Sequence, residues 1–367
     1  MRDAPGTVVL DMNDRRPVWA MPDRVPSCVR DALPPGWTLQ VMEEATDGSG
    51  DGAGRVSPAV LEAATKARIY LGYGIAPELL EAGSELEWVH SGAAGVGSSL
   101  TPTMKGSPVV FTNSAGIHAP AMAETVLGMI LHFGRGLDFA VRAQARGAWD
   151  KDPFYRAGAP VRELSRMTVG IVGFGGIGRA VARRVAALGA RVVGVKRTPP
   201  GPDDARLSPV GQEGSSLEAR LELTHGAQGL ERVLEASDVL ILSAPETPET
   251  RGLLDAAALA RLPDGALVIN VGRGGLVVLD DLVAALRGGR LRGAALDVFP
   301  EEPLPEDHPL WKLPNVLLTP HVSAVTDAFW ERETDLILHN LRCYLDGEDP
   351  GAPYTPWRNV VDKEAGY

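Results

Sequence analysis

Four short stretches of this chain carry residue types that can do chemistry at a spacing that suggests one site. The first is Gly173-Phe174-Gly175-Gly176-Ile177-Gly178, a GxGxxG that follows the apolar run TVGIVG and opens a pattern with apolar residues at Ile177, Val181, Val185 and Leu188. In a strand–turn–helix setting such glycines let the backbone approach a pyrophosphate, which rests on the helix N-terminus. The second is Asn270-Val271-Gly272-Arg273-Gly274, where an Arg at the end of an apolar run can clamp a carboxylate through two parallel hydrogen bonds. The third, Asp297-Val298-Phe299-Pro300-Glu301-Glu302-Pro303, and the fourth, Thr319-Pro320-His321, place an acid and an imidazole after two further apolar runs. Each alone is unremarkable, since a strand-end His is commonly structural and a Glu before Pro commonly solvated. Together they set an Arg, a Glu and a His at successive strand ends beside a dinucleotide turn. An Arg can grip a carboxylate, an imidazole titrates near neutrality and can exchange a proton, and a carboxylate beside an imidazole favours its charged form.

A further position concerns the cofactor. In NAD-selective sites an acid at the end of the second strand, roughly 20 residues along, bonds the ribose 2′-OH. Here the position 196 − 178 = 18 residues past the last motif glycine is Lys196, followed by Arg197 and Thr198. Two cations attract a 2′-phosphate and a hydroxyl can add to them, so NADP(H) is expected over NAD(H).

The elements that must hold these residues are legible in the texture of the chain. From residue 168 onward TVGIVG, RVVGV, DVLILSAP, GALVINVG, RGAALDVF and NVLLTPH are near-continuous apolar runs separated by helical patterns such as IGRAVARRVAAL and DDLVAALRGG. Such runs mean a parallel sheet covered on both faces, hence one doubly wound α/β domain. The first third alternates shorter runs, TVVLDM, ARIYLGYG and LEWVHSGAAGVG, with helical patterns, and a long helical pattern follows Pro120. TDGSGDGAG (46–54) and the polar, Pro/Gly-rich 199–216 read as surface loops, the latter able to close over the 2′-phosphate site. At 367 residues about two domains are expected. The formal charge of −11 argues against nucleic acid or an anionic membrane as the main partner. The two cysteines, Cys28 and Cys343, are far apart, the N-terminus lacks a signal-peptide core, and no run approaches a membrane span, which together suggest a cytoplasmic protein.

Taken in order and spacing, VGIVGFGGIGRAVA, LSAPETPETRGLL, NVGRGGLVVLDDLVAAL, LDVFPEEPL and NVLLTPH resemble the D-isomer-specific 2-hydroxyacid dehydrogenases over nearly the whole chain. The resemblance implies two Rossmann-like domains with doubly wound parallel sheets and an active site in the cleft between them. One would be a discontinuous substrate domain (1–119 and 321–367), the other a dinucleotide domain (120–320). It implies that Arg273 binds substrate, Glu302 orients the histidine and His321 transfers the proton. It extends the cofactor contacts to Gly173, Gly175, Gly176, Ile177, Gly178, Pro245, Thr247, Val271, Gly272 and Asp297, the last holding the nicotinamide amide. GAAGVG (92–97) resembles the loop whose amides, at Gly95 and Val96, hold the substrate carboxylate, although this chain has Gly97 where the family commonly has Asp. It also implies a homodimer formed through helix 120–136 and the segment ending near Trp149, and no metal. Within the family a glyoxylate/hydroxypyruvate reductase is expected. The alternatives are a phosphoglycerate dehydrogenase-like enzyme without a regulatory domain, for which the chain after its last helix leaves no room, and a non-enzymatic NAD(P)-sensing protein. A hydrolase is disfavoured, since GxSxG, HExxH and a Cys beside a base are all lacking.

Overall fold

The computed structural model describes residues 5–45, 56–156, 158–201, 204, 220–352 and 354–366. The loop 46–54 and most of 199–216 lie outside the described residues. The chain divides into two compact units, Met1–His118 with Val325–Tyr367, and Ala119–Ala324.

The first unit holds five parallel strands, β1 (Thr7–Asp11), β2 (Thr38–Val41), β3 (Ile69–Gly72), β4 (Trp88–Ser91) and β5 (Val110–Asn113), in the order β2-β1-β3-β4-β5. The order reverses between β1 and β3, and ligands of open α/β sheets bind beyond the carboxyl ends of strands at such a reversal. β3 and β4 are buried along their whole length, and the sequence shows them as apolar runs. β2 (TLQV) alternates exposed and half-buried positions at the sheet edge, and its weak pattern escapes a reading by apolar runs. The helix Phe329–Asp346 returns to this unit, packing Phe329, Trp330, Ile337, Leu341 and Tyr344 into a core with Val8, Leu10, Ile69, Leu71 and Trp88. It also brings Glu333 into full burial. There Glu333 Oε1 lies 2.9 Å from His90 Nε2, and Oε2 accepts from Ser114 Oγ at 2.7 Å. A carboxylate can be buried only when supplied with such donors.

The second unit holds seven parallel strands: β6 (Thr168–Val172), β7 (Arg191–Lys196), β8 (Leu221–His225), β9 (Val239–Leu242), β10 (Ala266–Asn270), β11 (Leu291–Leu296) and β12 (Val316–Leu318). Their order is β12-β11-β10-β9-β6-β7-β8, again reversing beside the first strand of the unit. Val239 and Ile241 face one core and Leu240 and Leu242 the other. That double coverage is why the strands read as unbroken apolar runs. The six strands expected here are present; the seventh, β8, is a half-exposed edge strand of sequence LELTH with no apolar run. Glu222 ties it down, accepting from Arg191 of β7 at 2.6 Å and from Arg232 at 2.8 and 2.9 Å. The helical pattern after Pro120 is two helices, Ala119–Gly134 and Leu137–Ala145, parted at Gly136, whose φ of 69° is left-handed.

Candidate active site

The glycine turn sits at the strand-order reversal between β6 and β9. Gly173 has φ +93°, and a Cβ there would stand 2.5 Å from the backbone N of Ala244. A Cβ on Gly178 would stand 2.4 Å from the carbonyl oxygen of Gly173, so this glycine lets the helix Gly176–Ala187 close onto β6. A Cβ on Gly175 would meet only open space, and Gly175 N-caps that helix with no side chain to take up its first N–H groups. Two glycines therefore serve packing and the third clears an approach to unfilled donors, the arrangement a pyrophosphate needs. Gly176 and Ile177 form the helix's first turn.

Two loops flank the turn. In Pro245–Thr250, Thr250 Oγ1 donates to the carbonyl of Pro245 and accepts from the N–H of Thr247, both at 2.8 Å. Thr250 thus shapes the loop that carries Thr247, a role the sequence signals only through the repeated PET of PETPET. Lys196 is the last residue of β7, and Arg197 and Thr198 follow it on the surface. Lys196 Nζ donates to Asp204 Oδ2 at 2.6 Å, an acid partner the sequence reading did not foresee. Hydrogen bonding from Lys196 is the main cause that holds Asp204 below the usual carboxylate range. Glu249 is likewise held low, chiefly by hydrogen bonding from Thr247, with the charge of Arg197 contributing less.

Arg273, Glu302 and His321 follow the adjacent strands β10, β11 and β12. Val271 and Gly272 are buried in the turn after β10. Asn270 brackets that turn, its Oδ1 accepting from Gly272 N at 3.1 Å and its Nδ2 donating to the carbonyl of Arg273 at 3.0 Å. Arg273 itself is exposed, and its Nη1 donates to the carbonyl of Gly272 at 2.8 Å. A Cβ on Gly274 would fall 1.9 Å from the carbonyl carbon of Phe299, so this glycine lets the arginine turn lie against the backbone of the Glu302 loop. Glu302 Oε1 accepts from Phe299 N at 2.8 Å, and Oε2 lies 2.8 Å from His321 Nδ1.

His321 has a left-handed backbone, φ 54°, unusual for a residue with a side chain. Asp297 holds it there. This carboxylate is fully buried and accepts from Thr319 Oγ1 at 2.6 Å, Val322 N at 2.9 Å and Ser323 N at 3.0 Å, while its own carbonyl accepts from His321 N at 2.8 Å. The aspartate therefore organises the histidine loop, a function spacing alone did not reveal. The imidazole remains 52% exposed and open to a reactant. With Nδ1 donating to the carboxylate, Nε2 is the ring nitrogen that could exchange a proton.

In the first unit Gly95 and Val96 follow β4. The carbonyls of this loop are engaged inward: Ala94 O accepts from Asn113 Nδ2 at 2.9 Å and Val96 O from Ser99 N at 3.1 Å. No group of His, Cys, Asp and Glu able to hold a metal occurs among the described residues. Among them, too, no helix is long and apolar enough to cross a membrane.

Residues 127–323, more than half of the chain, match the sequence pattern of the "D-isomer specific 2-hydroxyacid dehydrogenase, NAD binding domain". The chain is 32% identical over 277 residues to a glyoxylate reductase of Thermofilum pendens, covering 75% of this chain and 76% of that one. Among solved structures it is similar to a D-isomer specific 2-hydroxyacid dehydrogenase from Xanthobacter autotrophicus in complex with NADPH and MES. There the TM-score is 0.74 and the identity 29%, over 99% of both chains. It is also similar to an NADPH-dependent glyoxylate/hydroxypyruvate reductase from Sinorhizobium meliloti in complex with NADP and sulfate. That match has a TM-score of 0.71 and 28% identity, over 99% of this chain and 100% of that one. With its two parallel Rossmann-like sheets and its glycine turn, the chain belongs to the D-isomer specific 2-hydroxyacid dehydrogenase family, NAD(P)-dependent oxidoreductases acting on the CH–OH group of their donors.

Proposed function

We propose that this enzyme reduces a small 2-keto acid of the glyoxylate or hydroxypyruvate class, with NADP(H) preferred over NAD(H). The observation that carries the reading is the 2.8 Å pair of His321 and Glu302, with the Glu302 loop in backbone contact with the turn of Arg273. Arg273 binds the substrate carboxylate with two parallel hydrogen bonds; in the first unit, Gly95 and Val96 are the residues we assign to substrate binding. His321 Nε2 delivers a proton to the developing alkoxide, and Glu302 steadies the charged ring through Nδ1. The nicotinamide cofactor supplies the hydride when bound. Gly173, Gly175, Gly176, Ile177 and Gly178 would hold its pyrophosphate, and Pro245, Thr247, Val271, Gly272 and Asp297 would border it. The second unit is thus the dinucleotide domain and the first the substrate domain. Loss of NADPH absorbance with a panel of keto acids tests the assignment. If none of them consumes NADPH, the reading fails in favour of a cofactor-sensing role.

The cofactor preference rests on Lys196, Arg197 and Thr198 at the end of β7, and on relatives seen with NADPH and NADP. NADPH should exceed NADH by about tenfold or more in kcat/KM, which requires only ~1.4 kcal/mol. Lys196→Asp with Arg197→Ala should erase or reverse this while kcat at saturating NADH changes little. Equal kcat/KM for the two cofactors in the parent would leave the basic pair as mere surface charge.

A homodimer is supported by the exposed Leu137, Val141, Trp149 and Tyr155, clustered in sequence within and after the helix Leu137–Ala145. Light scattering at micromolar concentration should give twice the chain mass, and a monodisperse monomer contradicts it. The free, widely separated Cys28 and Cys343 support a cytoplasmic location.

A further inference from the structure

Asp204 sits where the cofactor preference is decided, and its surroundings are unusual for a surface acid. Oδ2 accepts from Lys196 Nζ and from the backbone N of Gly201, each at 2.6 Å. Oδ1 lies 3.7 Å from Arg179 Nη1. The three side chains are only 20–31% exposed. Lys196 ends the second strand of the dinucleotide sheet, and Arg179 follows the last glycine of the motif directly, on the first turn of its helix. These are the two elements that border the cofactor's adenosine ribose in this fold. An ammonium, a guanidinium and a backbone N–H converging on one anion form the donor set that would grip a phosphate monoester.

We propose that Asp204 is a built-in competitor for the cofactor's 2′-phosphate, its carboxylate docked on the donors the phosphate requires. The inference rests on the reading of Lys196 as part of a 2′-phosphate site. A phosphate monoester carries ≈ −1.5 to −2 charges and three acceptor oxygens, so it displaces a carboxylate of charge −1. A ribose 2′-OH carries no charge and leaves the Lys196–Asp204 pair in place. Binding of the phosphorylated cofactor is thus an exchange of one anion for another, whereas binding of NAD(H) is a simple addition. Asp204 therefore lowers the advantage that the bare cations would give NADP(H), and allows this chain to use both cofactors.

The test measures binding of two fragments, 2′,5′-ADP and 5′-AMP, by calorimetry to the full-length parent, Asp204→Asn and Asp204→Ala, with thermal unfolding as the check on fold. Removing the competing charge should tighten 2′,5′-ADP by roughly five- to twentyfold, the scale of one charge-assisted hydrogen bond, and leave 5′-AMP within about twofold. If the parent shows no preference between the fragments and the variants gain one, the competitor is strong enough to mask the site, and the proposal stands. If the parent prefers 2′,5′-ADP but both variants bind it no better, or more weakly, Asp204 does not compete; the proposal falls while the phosphate site remains. If neither parent nor variants prefer 2′,5′-ADP, the phosphate site itself is wrong and the proposal falls with it.

Discussion

His321 shows how a reactive side chain is placed at the cost of an unfavourable backbone. Its left-handed φ is held because the buried Asp297 gathers the N–H groups of Val322 and Ser323 and the hydroxyl of Thr319. The ring's other constraint is Glu302, itself fixed by Phe299 N. Removing the proposed proton donor with His321→Asn should lower kcat by about 10²–10⁴. Glu302→Gln keeps an acceptor for Nδ1 but removes the charge that steadies the protonated ring. It should lower kcat at least about tenfold while substrate KM and NADPH affinity stay near the parent's, since it acts through His321. Steady-state kinetics on both variants, with NADPH binding by fluorescence, check this. Near-parental kcat in both would remove His321 from the chemistry. At this scale the placement of Arg273, Glu302 and His321 after successive strands was readable, because apolar runs mark where those strands end, while the pairing of Glu302 with His321 was legible only through family resemblance. The three-donor role of Asp297 and the pairing of Lys196 with Asp204 were not, because each depends on which oxygen meets which backbone N–H.

Among the elements, the site depends on how closely two loops approach. Gly274 lies so near Phe299 and Pro300 that a single methyl group would overlap the main chain. Gly274→Ala should therefore push the Arg273 turn away from the loop that carries Glu302. Overpacking against fixed backbone costs about 1–3 kcal/mol. The variant should lose at least about tenfold in kcat/KM for the keto acid and have a lower unfolding midpoint, with NADPH affinity less affected. Parental kinetics would show that the two loops need not touch. The sequence displayed the strands that carry these loops because β10 and β11 are buried on both faces and spell it in apolar residues. It hid β2 and β8, whose edge positions leave one side to solvent and admit Gln40, Glu222 and Thr224.

On the scale of the molecule, two sheets each reverse their strand order once, and the chain leaves the first unit after residue 118 and re-enters it at residue 325. Periodicity cannot show such a return, since a helix pattern such as Phe329–Asp346 does not say which sheet it covers; here it was legible only through family resemblance. Its seal is Glu333, the acceptor for both His90 and Ser114. Glu333→Ala would strip His90 Nε2 of its carboxylate partner and leave Ser114 Oγ only the Ser91 carbonyl at 2.9 Å and the ring nitrogen at 3.3 Å, at about 1–3 kcal/mol in all. The first unit contains Trp19, Trp37, Trp88, Trp330 and Trp357, five of the seven tryptophans, so fluorescence reports chiefly on its unfolding. The variant's fluorescence midpoint in urea should fall clearly below the parent's, and an unchanged midpoint would make the network dispensable.

The same return sets a timetable for birth on the ribosome. β1–β5 emerge first, yet the helix that covers Val8, Leu10, Ile69, Leu71 and Trp88 emerges only after the whole stretch 119–324 has been made. At ~5–20 residues per second that is a wait of roughly 10–40 s with this apolar sheet face covered only in part, by Val25 and Val29 of the early helix Arg24–Ala32. Nascent chains should therefore be open to misassociation during that interval, and slowing translation within the second unit should lengthen their exposure without altering a single residue of the finished protein.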